Sequence, residues 1–133
     1  MIKFLKLWPP VFAWCWFIFY LSSIPNLGTG WGFWDTILRK ISHILEYFIL
    51  ASLLYRAFKG SFNLPGFYLI FWPLILSFLY AVSDEIHQAF VPTRGPSPTD
   101  VFIDSIGIIA FYLLIKYQNK SNKIKYSESG RSG

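Results

Sequence analysis

Apolar residues along the chain fall into four long runs separated by short polar or turn-rich stretches. The runs cover about Leu5 to Leu21, Thr36 to Phe58, Leu64 to Phe90 and Pro98 to Tyr117. A membrane-crossing helix needs about 20 apolar residues, within a range of roughly 17–25, so each run is long enough. Inside lipid the backbone must satisfy its own hydrogen bonds, which predicts helices. The expected fold is therefore all-α: an integral membrane four-helix bundle over residues 1–118, then a basic tail over 119–133. The first run opens with Trp8-Pro9-Pro10 and is full of bulky aromatics, so it reads as a retained span and not a cleaved leader. The residues from Ser127 onward resemble a flexible linker or cloning remnant.

Polar side chains break the apolar pattern mainly at one end of the runs. The sharpest break is Ser83-Asp84-Glu85-Ile86-His87-Gln88, which closes the third run. An ionisable group at the bilayer centre costs roughly 2.5–3.5 kcal/mol on insertion scales, so it implies a partner or a task. At about 100° per residue, Lys40, His43 and Tyr47 lie within about 60° of one another on the second helix, with Glu46 about 60° from His43. On the third helix, Ser77, Tyr80, Asp84, His87 and Gln88 form one stripe about 100° wide, flanked by Ser83 and Glu85. Asp100, Asp104 and Gly107 form a stripe on the fourth helix. Three helices with polar faces at the same depth predict a shared pocket. The proline-rich connection Val91–Asp100 is stiff and holds Arg94 above it. A guanidinium there can grip a phosphate or carboxylate in bidentate fashion.

Composition agrees with a membrane protein. The chain is 54% hydrophobic and 14% charged, against about 25% charged in soluble domains. Its net charge of +5 could suggest nucleic acid, but the distribution assigns it to orientation. Lys3, Lys6, Arg56, Lys59, Lys116, Lys120, Lys123, Lys125 and Arg131 fall on one side, and Arg39, Lys40 and Arg94 on the other. By the positive-inside rule both termini are expected in the cytoplasm, and the loops Ser22–Asp35 and Val91–Ser97 outside. Six of the seven acidic residues lie toward the outer half: Asp35, Glu46, Asp84, Glu85, Asp100 and Asp104. The orientation rule does not explain them, which points to chemistry on that side. The single Cys15 allows no internal disulfide and no paired-cysteine metal motif.

The chemistry follows from residue type. His43 and His87 are candidate general acids or bases. Asp84 would orient a histidine or bind metal, with Asp104 and Glu85 assisting. Lys40 and Arg94 would hold an anion, and Tyr47, Tyr80, Gln88 and Asp100 would line the site. Lys40 and Arg94 contribute +2, whereas Asp84, Glu85, Asp100 and Asp104 contribute −4. That excess calls for a divalent cation or for protonated carboxylates. His43, Asp84, His87 and Asp104 would make a mixed nitrogen–oxygen set suited to zinc or manganese. Blander roles compete. Ser97-Pro98-Thr99-Asp100 reads as a helix cap. Lys40 can snorkel to the surface, Glu85 can face loop solvent, and the tyrosines and histidines can simply bond neighbouring helices. Below Ser77 the third helix has no further polar partners, so a transport path through one protomer is not expected. The oligomeric state is open.

Lys40-Ile-Ser-His43-Ile-Leu-Glu-Tyr47, Asp84-Glu85-Ile-His87-Gln88, Arg94, Asp100 and the turn Ser22-Ser23-Ile24-Pro25 together resemble the VanZ-like family of small bacterial membrane proteins. Asp104 stands where that family pattern leads one to expect Asn. The resemblance implies a multi-pass protein of the bacterial cytoplasmic membrane, linked to the envelope and to glycopeptide (teicoplanin) resistance. The function expected is an outward-facing site acting on a lipid-linked phosphate or phosphoester. Membrane lipids, a lipid-linked cell-wall precursor or a glycopeptide are the partners implied. The alternatives are a non-catalytic binder of a lipid headgroup or amphiphilic drug, and a purely structural polar network.

Overall fold

Proline sets the first feature of the fold. Pro9 and Pro10 have no N–H to give to the preceding turn, so a helix cannot run unbroken through Trp8. In the computed structural model, which describes residues 2–25, 32–95 and 97–129, α1 (Ile2–Leu7) stops there and α2 (Pro9–Ser23) begins. Together they supply one apolar stretch, Phe4–Ser23. Three more helices follow: α3 (Phe33–Ser61), α4 (Gly66–Gln88) and α5 (Pro98–Ser129). The chain is thus all-α, with four helical rods. Each rod overlaps one of the four expected spans. α5 runs past Tyr117 to Ser129, into the stretch read as tail, and residues 130–133 lie outside the described residues.

Among the described residues, three helical stretches are long and apolar enough to cross a membrane: Phe4–Ser23, Gly66–Gln88 and Pro98–Lys123. The exception is α3, where Asp35, Arg39, Lys40, Glu46, Arg56 and Lys59 dilute the apolar run. Its 29 residues make a rod about 43 Å long at 1.5 Å per residue. It packs against every other helix, most extensively α5. The long helix that lacks a membrane-length apolar window therefore packs against all the others, which shield much of it from lipid.

The core forms where small and branched residues meet. Val11, Ile18, Tyr47, Leu50, Leu54, Ala57, Ala81 and Ile108 make one buried cluster, and Ala51, Phe111 and Ile115 a second. Alanine in such positions lets helix backbones approach closely, which is how membrane helices gain packing contacts. Many aromatics remain outside, among them Phe12, Trp16, Tyr20, Phe67 and Phe102. That pattern suits a lipid-facing surface. Pro73 interrupts the hydrogen-bond ladder within α4, and the buried Ser77 hydroxyl donates to its carbonyl at 2.8 Å. The Trp8 indole reaches the far end of α3, donating to Ser61 Oγ at 3.0 Å.

Candidate functional site at one end of the bundle

Successive helices alternate in direction. The end of α2, the start of α3, the end of α4 and the start of α5 therefore share one end of the bundle. The polar stripes meet there, but their pairing differs from the expectation. His43 Nδ1 lies 2.9 Å from Asp104 Oδ1, joining α3 to α5. Asp104 is fully buried and His43 nearly so. The carboxylate that orients a histidine is thus Asp104, not Asp84. Asp84 instead accepts from Gln88 Nε2 at 3.0 Å, with Ser22 also in hydrogen-bonding reach.

The second correction is that four rods build the site, not three. Gln88 Nε2 also donates to Ser22 Oγ at 2.7 Å. Ser23 Oγ lies 3.0 Å from His87 Nε2, and the His87 ring stacks on Phe19 at 4.3 Å. Ser22 and Ser23 end α2, and helical periodicity on the other three segments gave no reason to bring them in. The sequence did hold one signal: the Ser22-Ser23-Ile24-Pro25 turn falls at the same depth as Asp84–Gln88. Glu46 is a further neighbour. It is half-buried, and its backbone carbonyl accepts the Trp14 indole at 2.9 Å.

Glu85 does not face loop solvent. It is buried and its Oε2 accepts the Ser97 backbone N–H at 2.7 Å. The side chain closes the turn into α5, whose first turn also has Asp100 N bonded to the Ser97 carbonyl at 2.8 Å. This anchors the capping segment that the sequence suggested. Glu85→Ala is expected to fray the first turn of α5, at about 0.5–2 kcal/mol for a lost cap. Faster amide hydrogen exchange around residues 97–101 would report it, and Glu85→Gln, which keeps an acceptor, should exchange like the parent.

The connection after α4 aims Arg94. Overlapping turns run Phe90 N to His87 O, Val91 N to Gln88 O and Arg94 N to Val91 O, at 3.0–3.1 Å. Thr93 adopts a positive φ of 69°, a left-handed geometry disfavoured for a β-branched residue. The chain folds back so that Arg94 Nη1 donates to the Ser22 carbonyl at 3.2 Å. Partial burial and then the like charge of Arg39 pull the guanidinium below its ordinary pKa, while Asp84, Glu46 and Glu85 act the other way. Arg39 thus adds a second guanidinium close to Arg94, one that the sequence placed only on the outer side. Lys40 is exposed one turn above His43. Pro96 lies outside the described residues.

The two expected tyrosines differ: one is tied elsewhere and the other has an unpartnered hydroxyl. Tyr80 donates its hydroxyl to the Cys15 carbonyl at 2.6 Å, tying α4 to α2. Tyr47 is fully buried, and its hydroxyl joins Glu85 Oε1 and Asp104 Oδ2 as buried oxygens without a hydrogen-bond partner. Such oxygens call for a water, a proton or a ligand group. Among the described residues no three His, Cys, Asp or Glu side chains gather as metal ligands. His43 is engaged by Asp104 and His87 by Ser23.

These features define a small, multi-pass α-helical membrane protein with a buried polar centre at one end of its bundle. The VanZ/LLP1 family matches residues 7–119, and the chain belongs to that family. No curated protein and no solved structure matches the chain significantly.

Proposed function

We propose that the polar end faces the outside of the bacterial cytoplasmic membrane and acts on a lipid-linked phosphate or phosphoester. The observation carrying this reading is the His43–Asp104 pair, 2.9 Å apart and buried. A carboxylate on Nδ1 fixes the imidazole tautomer and orientation, leaving Nε2 to exchange a proton with the ligand. Arg94, with Lys40 at the rim, supplies positive charge for the anionic group. An apolar groove of about 410 Å³ supports a lipid substrate. It runs between α4 and α5, with Phe71, Leu74, Ile75 and Phe78 facing Ser105, Ile108, Ile109 and Tyr112. Ser105 follows Asp104 directly, so a hydrocarbon chain in the groove would extend from close to the histidine pair. Family membership fits a role at the envelope, and resistance to glycopeptides is the phenotype to examine.

The test is release of inorganic phosphate from phosphatidic acid and from a polyprenyl diphosphate by the full chain in lipid vesicles. No release from either, with the protein folded, would sink the reading. Arg94→Ala is expected to weaken substrate binding by roughly 10- to 150-fold, the equivalent of about 1.5–3 kcal/mol for a hydrogen bond to a charged group. The change should appear mainly in KM, and Arg94→Lys should recover part of it.

A further inference from the structure

We infer that Ser23 is a nucleophile activated by His87, so that turnover passes through a phosphoserine on α2. This rests on the lipid-phosphate reading and deepens it by naming the attacking atom.

The geometry supports the pair at several points. Ser23 Oγ is 3.0 Å from His87 Nε2, within the reach expected of a nucleophile and its base. The same oxygen is 2.7 Å from the Phe19 carbonyl. A serine hydroxyl has one hydrogen, so these contacts describe alternative states. With Nε2 protonated, the hydroxyl donates to Phe19 and accepts from the ring. With Nε2 bare, one torsion turns the hydrogen toward it and readies the oxygen for attack. The ring is held for that exchange by stacking on Phe19 at 4.3 Å and 30°. Phe19 and Ser23 are one turn apart on α2, so a single helix carries both the ring's platform and the nucleophile. Arg94 completes the arrangement. Its Nη1 bonds the carbonyl of Ser22, which puts a guanidinium beside the peptide preceding Ser23, where phosphate oxygens would lie. A serine that only back-bonds at a helix end requires neither the histidine nor the arginine. Ser23 and His87 are also half-buried rather than sealed, so a headgroup at the end of the bundle can reach them.

The step balances. Ser23 Oγ bonds to phosphorus as its proton passes to His87 Nε2. The ester P–O bond breaks, and the departing alkoxide takes a proton from His43 Nε2. Water then attacks phosphorus and returns a proton to His43 Nε2. The P–Oγ bond breaks, and Ser23 recovers the proton held by His87.

The test uses the full chain in lipid vesicles with a fluorophosphonate probe. Its P–F bond breaks as the Oγ–P bond forms, and the fluoride leaves. We expect a mass adduct on Ser23, no adduct there in Ser23→Ala, and labelling roughly 10²-fold slower in His87→Gln. Ser23→Ala removes only a hydroxyl at a helix end, and circular dichroism checks its fold. Folded parent protein without an adduct on Ser23 overturns the inference, as does an adduct formed equally fast in His87→Gln. Phosphate release is measured in the same vesicles. Release without an adduct removes the nucleophile and leaves the lipid-phosphate reading standing. An adduct with no release from any lipid phosphate supports the Ser23–His87 pair and sinks the lipid-phosphate reading instead.

Discussion

Replacing His43 by Gln is expected to lower phosphate release by roughly 10²–10⁴-fold, the usual range for a positioned acid–base group. The substitution is chosen because the Gln amide can still donate to Asp104. The contact now made by Nδ1 at 2.9 Å between α3 and α5 can therefore persist, and Asp104 is not abandoned in the core. What disappears is the imidazole that can pass a proton to and from the ligand. A drop in rate with an unchanged melting temperature would assign His43 to chemistry. A full rate in His43→Gln would remove it from the mechanism, and equal losses of rate and stability would make it a strut. Asp104→Asn provides the complementary measurement. It keeps an oxygen to accept from Nδ1 and leaves the imidazole in place, so its rate should fall less than that of His43→Gln.

Much of this end of the molecule was legible in the sequence, because helical periodicity places side chains on faces. His43 and Tyr47, four residues apart, share the buried face of α3 as expected, and Asp84 and Gln88 do so on α4. Periodicity does not say how far one helix is rotated against the next, and that rotation decides partners. The sequence favoured Asp84 to orient a histidine, with Asp104 assisting, whereas the packing of α5 on α3 brings Asp104 to His43. Glu85 lies about 100° from Asp84 around α4, so from the sequence it pointed away from the stripe. The turn into α5 crosses over it and supplies the Ser97 N–H, a neighbour that no pattern on α4 could reveal. Ser22 and Ser23 were hidden for a different reason. Short hydroxyl side chains at the end of a helix are so often local back-bonders that their type says little. Their importance comes from contacts with Gln88 and His87, 66 and 64 residues away. The apolar runs did fix four rods at the right places, yet they could not show that α3, with six charged residues among its 29, would be the central one. A helix that is costly to leave in lipid gains most from being surrounded.

The largest expected effect on stability comes from a position with no side chain. Gly107 sits on α5, three residues after Asp104, and a Cβ built there would strike the carbonyl oxygen of Ile44. It would also come within 3.0 Å of that carbonyl carbon and 3.1 Å of Phe48 N. All three are backbone atoms of α3, locked in its hydrogen-bond ladder, so no side-chain rotation can relieve the contact. The helices must move apart. Overpacking of this kind costs about 1–3 kcal/mol, occasionally more, and it falls in the interface that carries the most extensive packing of the bundle. Ile44 follows His43, so the same displacement stretches the 2.9 Å bond from His43 to Asp104. Gly107→Ala is therefore expected to lower the melting temperature in detergent and to depress phosphate release together, and Gly107→Val to do both more severely. Gly66→Ala is the matched control, since a Cβ at Gly66 meets nothing within 4 Å. If Gly107→Ala melts like the parent, the α3–α5 approach does not set the geometry of the pair. If it melts lower but retains full activity, the His43–Asp104 contact tolerates that separation, and the requirement for a short bond in the mechanism falls with it.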